Sequence, residues 1–230
     1  MGNSGENFEG YDYVGGGTMD FSTYSRLVTW FFENDNREEN YQNRILIPLF
    51  EKLCKGNNVV DTSLLTKEWN KRKIDREAFA GTFTPDLLIA SNWKLIKDKD
   101  TVGYKALVEV KTPTANDRPH AVLEIKEYLE KVTFVILTDC VTWEFYMKKD
   151  NKIYRKIYFL DRLDKNIPIA DCVTWEFYMK NDKNKPIVCK RHQKRTEKIE
   201  WDDTYWDDIK LAIQNLKIEI EKENKNDFGP

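Results

Sequence analysis

The sequence predicts an α/β or α+β domain, a sandwich in which helices flank a central mixed β-sheet. Two stretches with helical periodicity open the chain, and two short apolar segments of strand length follow them. A further helix and two more strand-like segments come next. Strands that alternate with helices are typical of a sheet covered by helices. With 230 residues, of which 40% are hydrophobic, the chain can form one such core.

The N-terminal segments are predicted to be an arm followed by a helix. Residues 1–18 are rich in Gly and Asn and show no periodicity, so we expect a flexible arm. Helical periodicity begins at Phe21 and places Leu27, Trp30 and Phe31 on one face. This helix should end at the polar Asn-Asp-Asn run that follows.

A second helix is predicted over 37–53. Apolar residues recur every four positions at Tyr41, Ile45 and Leu49. Pro48 falls inside this pattern and should bend or interrupt the helix, because proline has no N–H to donate.

Short apolar runs predict the strands. Residues 57–80 show neither the helical nor the strand periodicity. Residues 85–90 and 106–111 have the length and β-branched content of strands. A polar loop over 91–105 should join them. Asp117 can cap the next helix, which has Pro119 in its first turn. Its apolar stripe consists of Val122, Ile125 and Leu129. Two further strands are predicted over 133–138 and 141–147.

The chain contains an internal repeat. Residues 139–148 reappear letter for letter as 171–180, which indicates a duplicated strand-and-turn unit. A single duplicate is too little for a solenoid, and we expect an added strand without a functional role. We place this unit in one domain over 19–200, followed by an amphipathic helix and tail over 201–230.

Composition argues against several classes of protein. The net charge of −2 does not suggest a protein that coats polyanions, although local basic patches can still bind nucleic acid. The four cysteines form no C-x-x-C pair and only two histidines exist, which argues against structural zinc. The N-terminus lacks the features of a signal peptide, and no apolar run is long enough to span a membrane. We therefore expect reduced thiols, a cytoplasmic location and no membrane partner.

Charged residues interrupt the apolar strands at three positions. Glu109 and Lys111 are two residues apart on one strand, so both side chains leave the same face, while Val108 and Val110 point to the core. Asp86 opens the preceding apolar run and can approach Glu109 if the two strands pair. Taken singly, such residues are common on solvated strands and turns. Together they are more informative, because a charge in a buried strand is costly unless it is paired or ligating.

This combination suits metal-assisted hydrolysis. Two close carboxylates repel each other unless a cation lies between them, and Mg²⁺ (or Mn²⁺) accepts such oxygen ligands together with substrate phosphate. A bound metal ion would activate water, and Lys111 could stabilise the negative charge that develops.

These residues carry a resemblance. The segments 82–89 (TFTPDLLI) and 107–113 (LVEVKTP) resemble the PD-(D/E)XK nuclease signature. The chain is most similar to one branch of these nucleases, the N-terminal nuclease domain of type I restriction enzyme R subunits. Residues 38–50 (EENYQNRILIPLF) resemble the first helix of that branch, and residues 128–146 resemble its later helix and hairpin. The resemblance covers about 37–147 and implies a restriction-endonuclease-like core.

The resemblance also implies roles for individual residues. Asp86, Glu109 and Val110 would hold the metal ion, Lys111 would be catalytic, and Glu39 would be an accessory acid. The first-helix spacing is inexact, so Glu38 is an alternative to Glu39. The family often has Gln four residues before the tyrosine of the later helix, where this chain has Glu124. That acid could repel phosphate or take the place of a metal-shell ligand.

Candidate nucleic-acid contacts lie in basic tracts, each of which could equally be a solvated surface. They are Lys71, Arg72 and Lys73; Arg118 and His120; and Lys190 and Arg191. No Walker motif is present, so we expect a free-standing nuclease or the partner of a separate motor or specificity subunit. The expected substrate is DNA. An inactive nucleic-acid-binding or scaffold module and an RNase are the alternatives.

The C-terminal segment 203–222 has two readings. Its apolar residues recur at 3-4 spacing, which fits either a helix packed on its own domain or the seam of a short coiled coil that forms a homodimer. The seam residues are Trp206, Ile209, Ile213, Leu216 and Ile220.

Overall fold

The computed structural model describes residues 19–62, 80–93, 102–114, 118–162 and 198–219. These residues contain a six-stranded sheet whose strands lie in chain order, β1 to β6. β3 and β4 are parallel, and every other neighbouring pair is antiparallel. The strands are β1 (Asn58–Asp61), β2 (Leu87–Ser91), β3 (Gly103–Val110), β4 (Phe134–Thr138), β5 (Thr142–Lys149) and β6 (Lys152–Phe159). The predicted mixed sheet with flanking helices is therefore confirmed.

Five α-helices accompany the sheet in the described ranges. They are α1 (Phe21–Asn34), α2 (Glu38–Tyr41), α3 (Ile47–Leu53), α4 (Arg118–Tyr128) and α5 (Trp206–Asn215). A π-helical turn, Gln42–Leu46, joins α2 to α3, and the N–H of Ile47 donates to the carbonyl of Gln42 across it. Pro48 follows directly in the first turn of α3. The predicted interruption near Pro48 is thus confirmed, because proline removes one α-helical hydrogen bond and the chain widens by one residue to avoid its ring.

The two faces of the sheet pack against different helices. Val108 and Val110 belong to a first core that also contains buried residues of α1, α3 and α5. Leu107, Val135 and Leu137 face the other side and form a second core with α4. Since side chains alternate along a strand, Glu109 and Lys111 must lie on the α4 side. None of the helices in the described segments has the length and apolar character that a membrane crossing requires.

Helix α5 belongs to the first core. Trp206, Ile209 and Ile213 are almost fully buried there, and α5 contacts α3. Its apolar stripe is therefore covered by the chain itself, as the first of the two readings predicted. The coiled-coil seam was the wrong interpretation for these three residues, and Ile220 lies outside the described residues.

The turn between β4 and β5 is held by several hydrogen bonds. Asp139 Oδ1 accepts the N–H groups of Val141 and Thr142 at 2.9 and 2.6 Å. Cys140 adopts a positive φ of 66°, and its carbonyl accepts the hydroxyl of Tyr24 at 2.6 Å. This turn and β5 form the first copy of the repeat, while 171–180 lies outside the described residues.

Two cysteines fall within the described part of the chain. Cys54 and Cys140 are buried and free, and burial raises the pKa of both. The other two cysteines lie outside the described ranges.

Candidate active site

Pairing of β2 with β3 places Asp86 directly opposite Glu109. Leu87 pairs with Val108 in antiparallel register, so the residue before Leu87 lies opposite the residue after Val108. Two hydrogen bonds fix Asp86 there: its N–H donates to the carbonyl of Val108 at 3.1 Å, and its Oδ2 accepts the N–H of Val110 at 2.7 Å. The structure therefore brings together the two carboxyl groups that the sequence singled out.

Glu109 and Lys111 form an ion pair at the carboxyl end of β3. Lys111 Nζ lies 2.7 Å from Glu109 Oε1, and the two side chains are only 13% and 5% exposed. The N–H of Lys111 donates to the carbonyl of Thr138 at 2.9 Å, which holds the chain beyond β3 against β4. The ammonium group is thus fixed beside the carboxyl groups, and its main chain is anchored to the sheet.

Helix α4 supplies a second partner for Glu109. The hydroxyl of Tyr128, on the buried face of α4, donates to Glu109 Oε2 at 3.2 Å. Glu124 lies one turn earlier on the same face of α4, since residues four apart are neighbours on a helix. It is half-buried, and its charge acts on Asp86 and Glu109. A tyrosine and an acid of α4 therefore face the same group of charges.

Burial keeps both strand carboxyl groups protonated to higher pH than usual. It raises the pKa of Asp86 to about 6, against the opposing effects of the Val110 N–H and the Lys111 charge. Burial also raises the pKa of Glu109 to about 9, and the charge of Asp86 adds to the shift. Each carboxyl group thus disfavours ionisation of the other, which is the electrostatic condition that a bound cation relieves.

Lys111 is affected in the opposite sense. Burial lowers its pKa, but the charge of Glu109 and their hydrogen bond outweigh this effect, and Glu38 and Asp86 contribute further. The pKa of Lys111 is consequently above its ordinary value. The lysine keeps its positive charge and can act as an electrostatic group in this cluster.

The cluster contains oxygen donors of the kind that hard cations prefer. Asp86 and Glu109 provide hard oxygen ligands, and Val110 can offer only its main-chain carbonyl. Asp86 Oδ2 accepts the N–H of Val110. No group of three or more His, Cys, Asp or Glu side chains in the described ranges is arranged to hold a metal ion. Two carboxylates suffice for Mg²⁺, because this ion commonly keeps several waters and binds substrate phosphate.

Of the two candidate acids on the first-helix segment, Glu38 lies nearer to the site. Glu38 is half-buried at the start of α2, and its charge raises the pKa of Lys111. Glu39 is exposed, and its charge acts on the exposed Arg37 instead. The charge that reaches Lys111 is thus that of Glu38, the alternative that the spacing left open.

Little of the predicted nucleic-acid surface falls within the described part of the chain. Arg118 begins α4, but its side chain lies outside the description, and His120 is exposed on the same helix. The remaining candidates lie outside the described residues: Lys71, Arg72, Lys73, Lys190 and Arg191.

Sequence reasoning did not place Asp61 or Tyr128 in the site. Asp61 ends β1, pairs with Leu87, and its charge raises the pKa of Asp86. Its segment showed no periodicity, so its approach to Asp86 could not be anticipated. Tyr128 did carry a usable signal, because it follows Glu124 by one helical turn.

Comparisons with models of known protein families, with curated proteins and with solved structures found no match to this chain.

Proposed function

We propose that this protein is a metal-dependent nuclease that hydrolyses DNA phosphodiester bonds, with a core like that of restriction endonucleases. The observation that carries the proposal is the cluster at one end of β3 in which the half-buried Asp86 and Lys111 flank the buried Glu109. A structural ion pair needs one acid for one base. Here two carboxyl groups with raised pKa values share a single ammonium, which is an unfavourable arrangement for folding and a suitable one for holding a cation.

Asp86 and Glu109 would hold the ion, with the carbonyl of Val110 as a third oxygen donor. When bound, Mg²⁺ polarises a phosphoryl oxygen and lowers the pKa of a coordinated water. Asp86 is oriented for this role by the N–H of Val110, which occupies Oδ2. Glu109 is oriented by Lys111 and Tyr128, which occupy one oxygen each.

Lys111 supplies positive charge at the reacting phosphate. Its ammonium lies on the α4 side of the sheet beside both carboxyl groups, where negative charge would grow on the phosphate oxygens during hydrolysis. A fixed cation in a buried position stabilises such charge more strongly than one in water. Because its pKa is raised, Lys111 remains an ammonium and would not act as the base that takes the proton from water.

A second candidate is a binding module of the same fold without catalytic activity. It is favoured by the two hydrogen bonds of Glu109, which engage both carboxylate oxygens within the chain. The biological setting that we propose for the active enzyme is prokaryotic restriction, defence or DNA processing. A separate motor or specificity subunit is a possible partner of the same proposal.

The test is cleavage of supercoiled plasmid by the full chain. We expect nicked or linear DNA in Mg²⁺ or Mn²⁺ and intact plasmid in chelator. A folded protein that leaves plasmid intact with every divalent ion, yet retards it on a gel, would indicate the inactive module. Cleavage of labelled RNA in preference to DNA would instead indicate an RNase.

A further inference from the structure

A short loop over residues 81–86 leads into β2 and carries Asp86 at its end. Gly81 begins this loop with a φ of 70°, a left-handed conformation that glycine adopts without strain. The residues that follow Gly81 contact the last turn of α4, the helix that also provides Tyr128. The loop therefore connects one candidate metal ligand with the helix that orients the other.

Glu127 attaches the start of the loop to α4. Its Oε1 accepts the N–H of Thr82, and its Oε2 accepts the hydroxyl of Thr82 at 2.9 Å. Both oxygens of this carboxylate are thus engaged by one residue of the loop. A methyl group at position 81 would overlap the Glu127 side chain, so the close approach of loop and helix also requires the glycine.

The next residue of the loop contacts the tyrosine of the candidate site. The half-buried ring of Phe83 meets the ring of Tyr128 edge-on, and their centroids lie 6.5 Å apart. Both side chains belong to the second core, and the hydroxyl of Tyr128 donates to Glu109. Consecutive residues of the loop therefore contact consecutive residues of α4, and the second of these contacts leads to Glu109.

The end of the loop is held by the sheet. The hydroxyl of Thr62 donates to the carbonyl of Pro85, and the N–H of Thr62 donates to the carbonyl of Asp86 at 3.0 Å. Asp86 is also hydrogen-bonded to β3. These bonds fix the loop to its neighbouring strands, whereas the bonds of Glu127 to Thr82 fix it to α4.

We infer that Glu127 is a positioning residue for the candidate metal site, because it holds the 81–86 loop on α4 and so sets the position of Asp86 relative to Glu109. This inference rests on the proposed function. Mg²⁺ requires its oxygen ligands in near-ideal octahedral geometry, so two carboxylates from separate segments must be held at a fixed separation. Tyr128 orients Glu109 from α4, and Glu127 ties the Asp86 loop to the same helical turn.

The experiment compares three variants of the full chain. Glu127→Ala removes the tie, whereas Glu127→Gln keeps an acceptor for the Thr82 N–H and a donor for its hydroxyl oxygen. Glu130→Ala is the matched control, since Glu130 follows α4, is exposed and pairs with Lys148 instead. Circular dichroism and thermal melting establish folding. Calorimetric titration measures Mn²⁺ affinity without DNA, and plasmid nicking is measured across a series of Mg²⁺ concentrations.

We expect Glu127→Ala to bind Mn²⁺ about tenfold more weakly, because residues that orient metal ligands contribute on this scale to affinity. The Mg²⁺ concentration for half-maximal nicking should rise by a similar factor, and the rate at saturating Mg²⁺ should stay close to that of the wild type. Glu127→Gln should recover most of the affinity, and Glu130→Ala should match the wild type. A general loss of folded protein would instead lower the maximal rate and leave the affinity unchanged.

A further variant serves if Glu127→Ala does not fold. Thr82→Val removes only the hydroxyl donor at an exposed position, and we expect a severalfold loss of Mn²⁺ affinity from it. Affinities equal to that of Glu130→Ala, an equal loss for Glu127→Gln and Glu127→Ala, or no metal binding by the wild type would each overturn the inference. Glu127-dependent metal binding by a protein that leaves plasmid intact would refute the proposed nuclease and leave the inference standing.

Discussion

Tyr128 donates its hydroxyl proton to Glu109 across the interface between α4 and β3, at 3.2 Å. Lys111 binds the other oxygen of the same carboxylate at 2.7 Å. The orientation of Glu109 is therefore fixed from two elements, the helix and the strand end. A carboxylate held in this way needs little reorganisation when it binds a cation.

Removing the Tyr128 hydroxyl should slow cleavage without unfolding the domain. Tyr128→Phe is expected to lower the cleavage rate about tenfold, because a hydrogen bond to a charged group contributes about 1.5 kcal/mol or more. Tyr146→Phe is the matched control, since its hydroxyl donates to Glu144 at 2.6 Å on the same face of the sheet. Equal rates for the two variants would show that Tyr128 has only a structural role.

The accessory acid can be identified by comparing two neighbours. We expect Glu38→Gln to reduce the cleavage rate severalfold and Glu39→Gln to leave it unchanged, because the charge of Glu38 raises the pKa of Lys111, whereas that of Glu39 acts on Arg37. Initial rates of plasmid nicking at saturating Mg²⁺ measure the difference. A larger loss for Glu39→Gln would contradict the placement of α2 against the site.

The charge of Asp86 should lower the free energy of unfolding at neutral pH when no metal ion is bound. Its pKa is raised to about 6 in the folded state from an ordinary value of 3.8, so the folded protein binds the proton more tightly than the unfolded chain does. Stability is then lost as pH rises from about 4 to 6 and stays lower above that. Asp86→Asn should raise the free energy of unfolding by about 1 to 3 kcal/mol at pH 8 and change it little at pH 4. Urea denaturation in chelator at both pH values tests this, and equal changes would refute the buried-charge explanation.

Binding of Mg²⁺ should release protons. Burial and mutual repulsion raise the pKa values of Asp86 and Glu109, so near neutral pH the two carboxyl groups together retain a proton that they must lose when both become ligands. Affinity should therefore rise from pH 6 to pH 8. Calorimetric titrations in two buffers of different ionisation enthalpy count the protons released. A binding enthalpy that does not depend on the buffer would contradict binding of the ion by both carboxyl groups.

Some of the site could be predicted from the sequence because strand geometry constrains it closely. Alternation on β3 separates Glu109 and Lys111 from Val108 and Val110, and antiparallel pairing of two adjacent runs suffices to bring in Asp86. The choice between Glu38 and Glu39 was beyond such reasoning. Adjacent helical residues point in directions about 100° apart, and the position of α2 against the sheet depends on tertiary packing.

Periodicity alone could not predict how α5 packs or where β1 lies, because both depend on tertiary contacts. The spacing of Trp206, Ile209 and Ile213 suits a coiled-coil seam and a helix on its own core equally well, and only the covering first core decides between them. β1 was missed because Asn58–Asp61 has just four residues and a partly exposed pattern.

The most direct test of the central claim is plasmid cleavage by Lys111→Met beside Lys105→Met. Lys105 is exposed within β3, whereas Lys111 is half-buried directly after the same strand and is paired with Glu109. Thermal melting first shows that both variants fold, and cleavage is then measured in Mg²⁺ with the wild type alongside. We predict wild-type cleavage for Lys105→Met and loss of at least a hundredfold for Lys111→Met, because the buried cation stabilises the transition state. Undiminished cleavage by Lys111→Met would contradict the account.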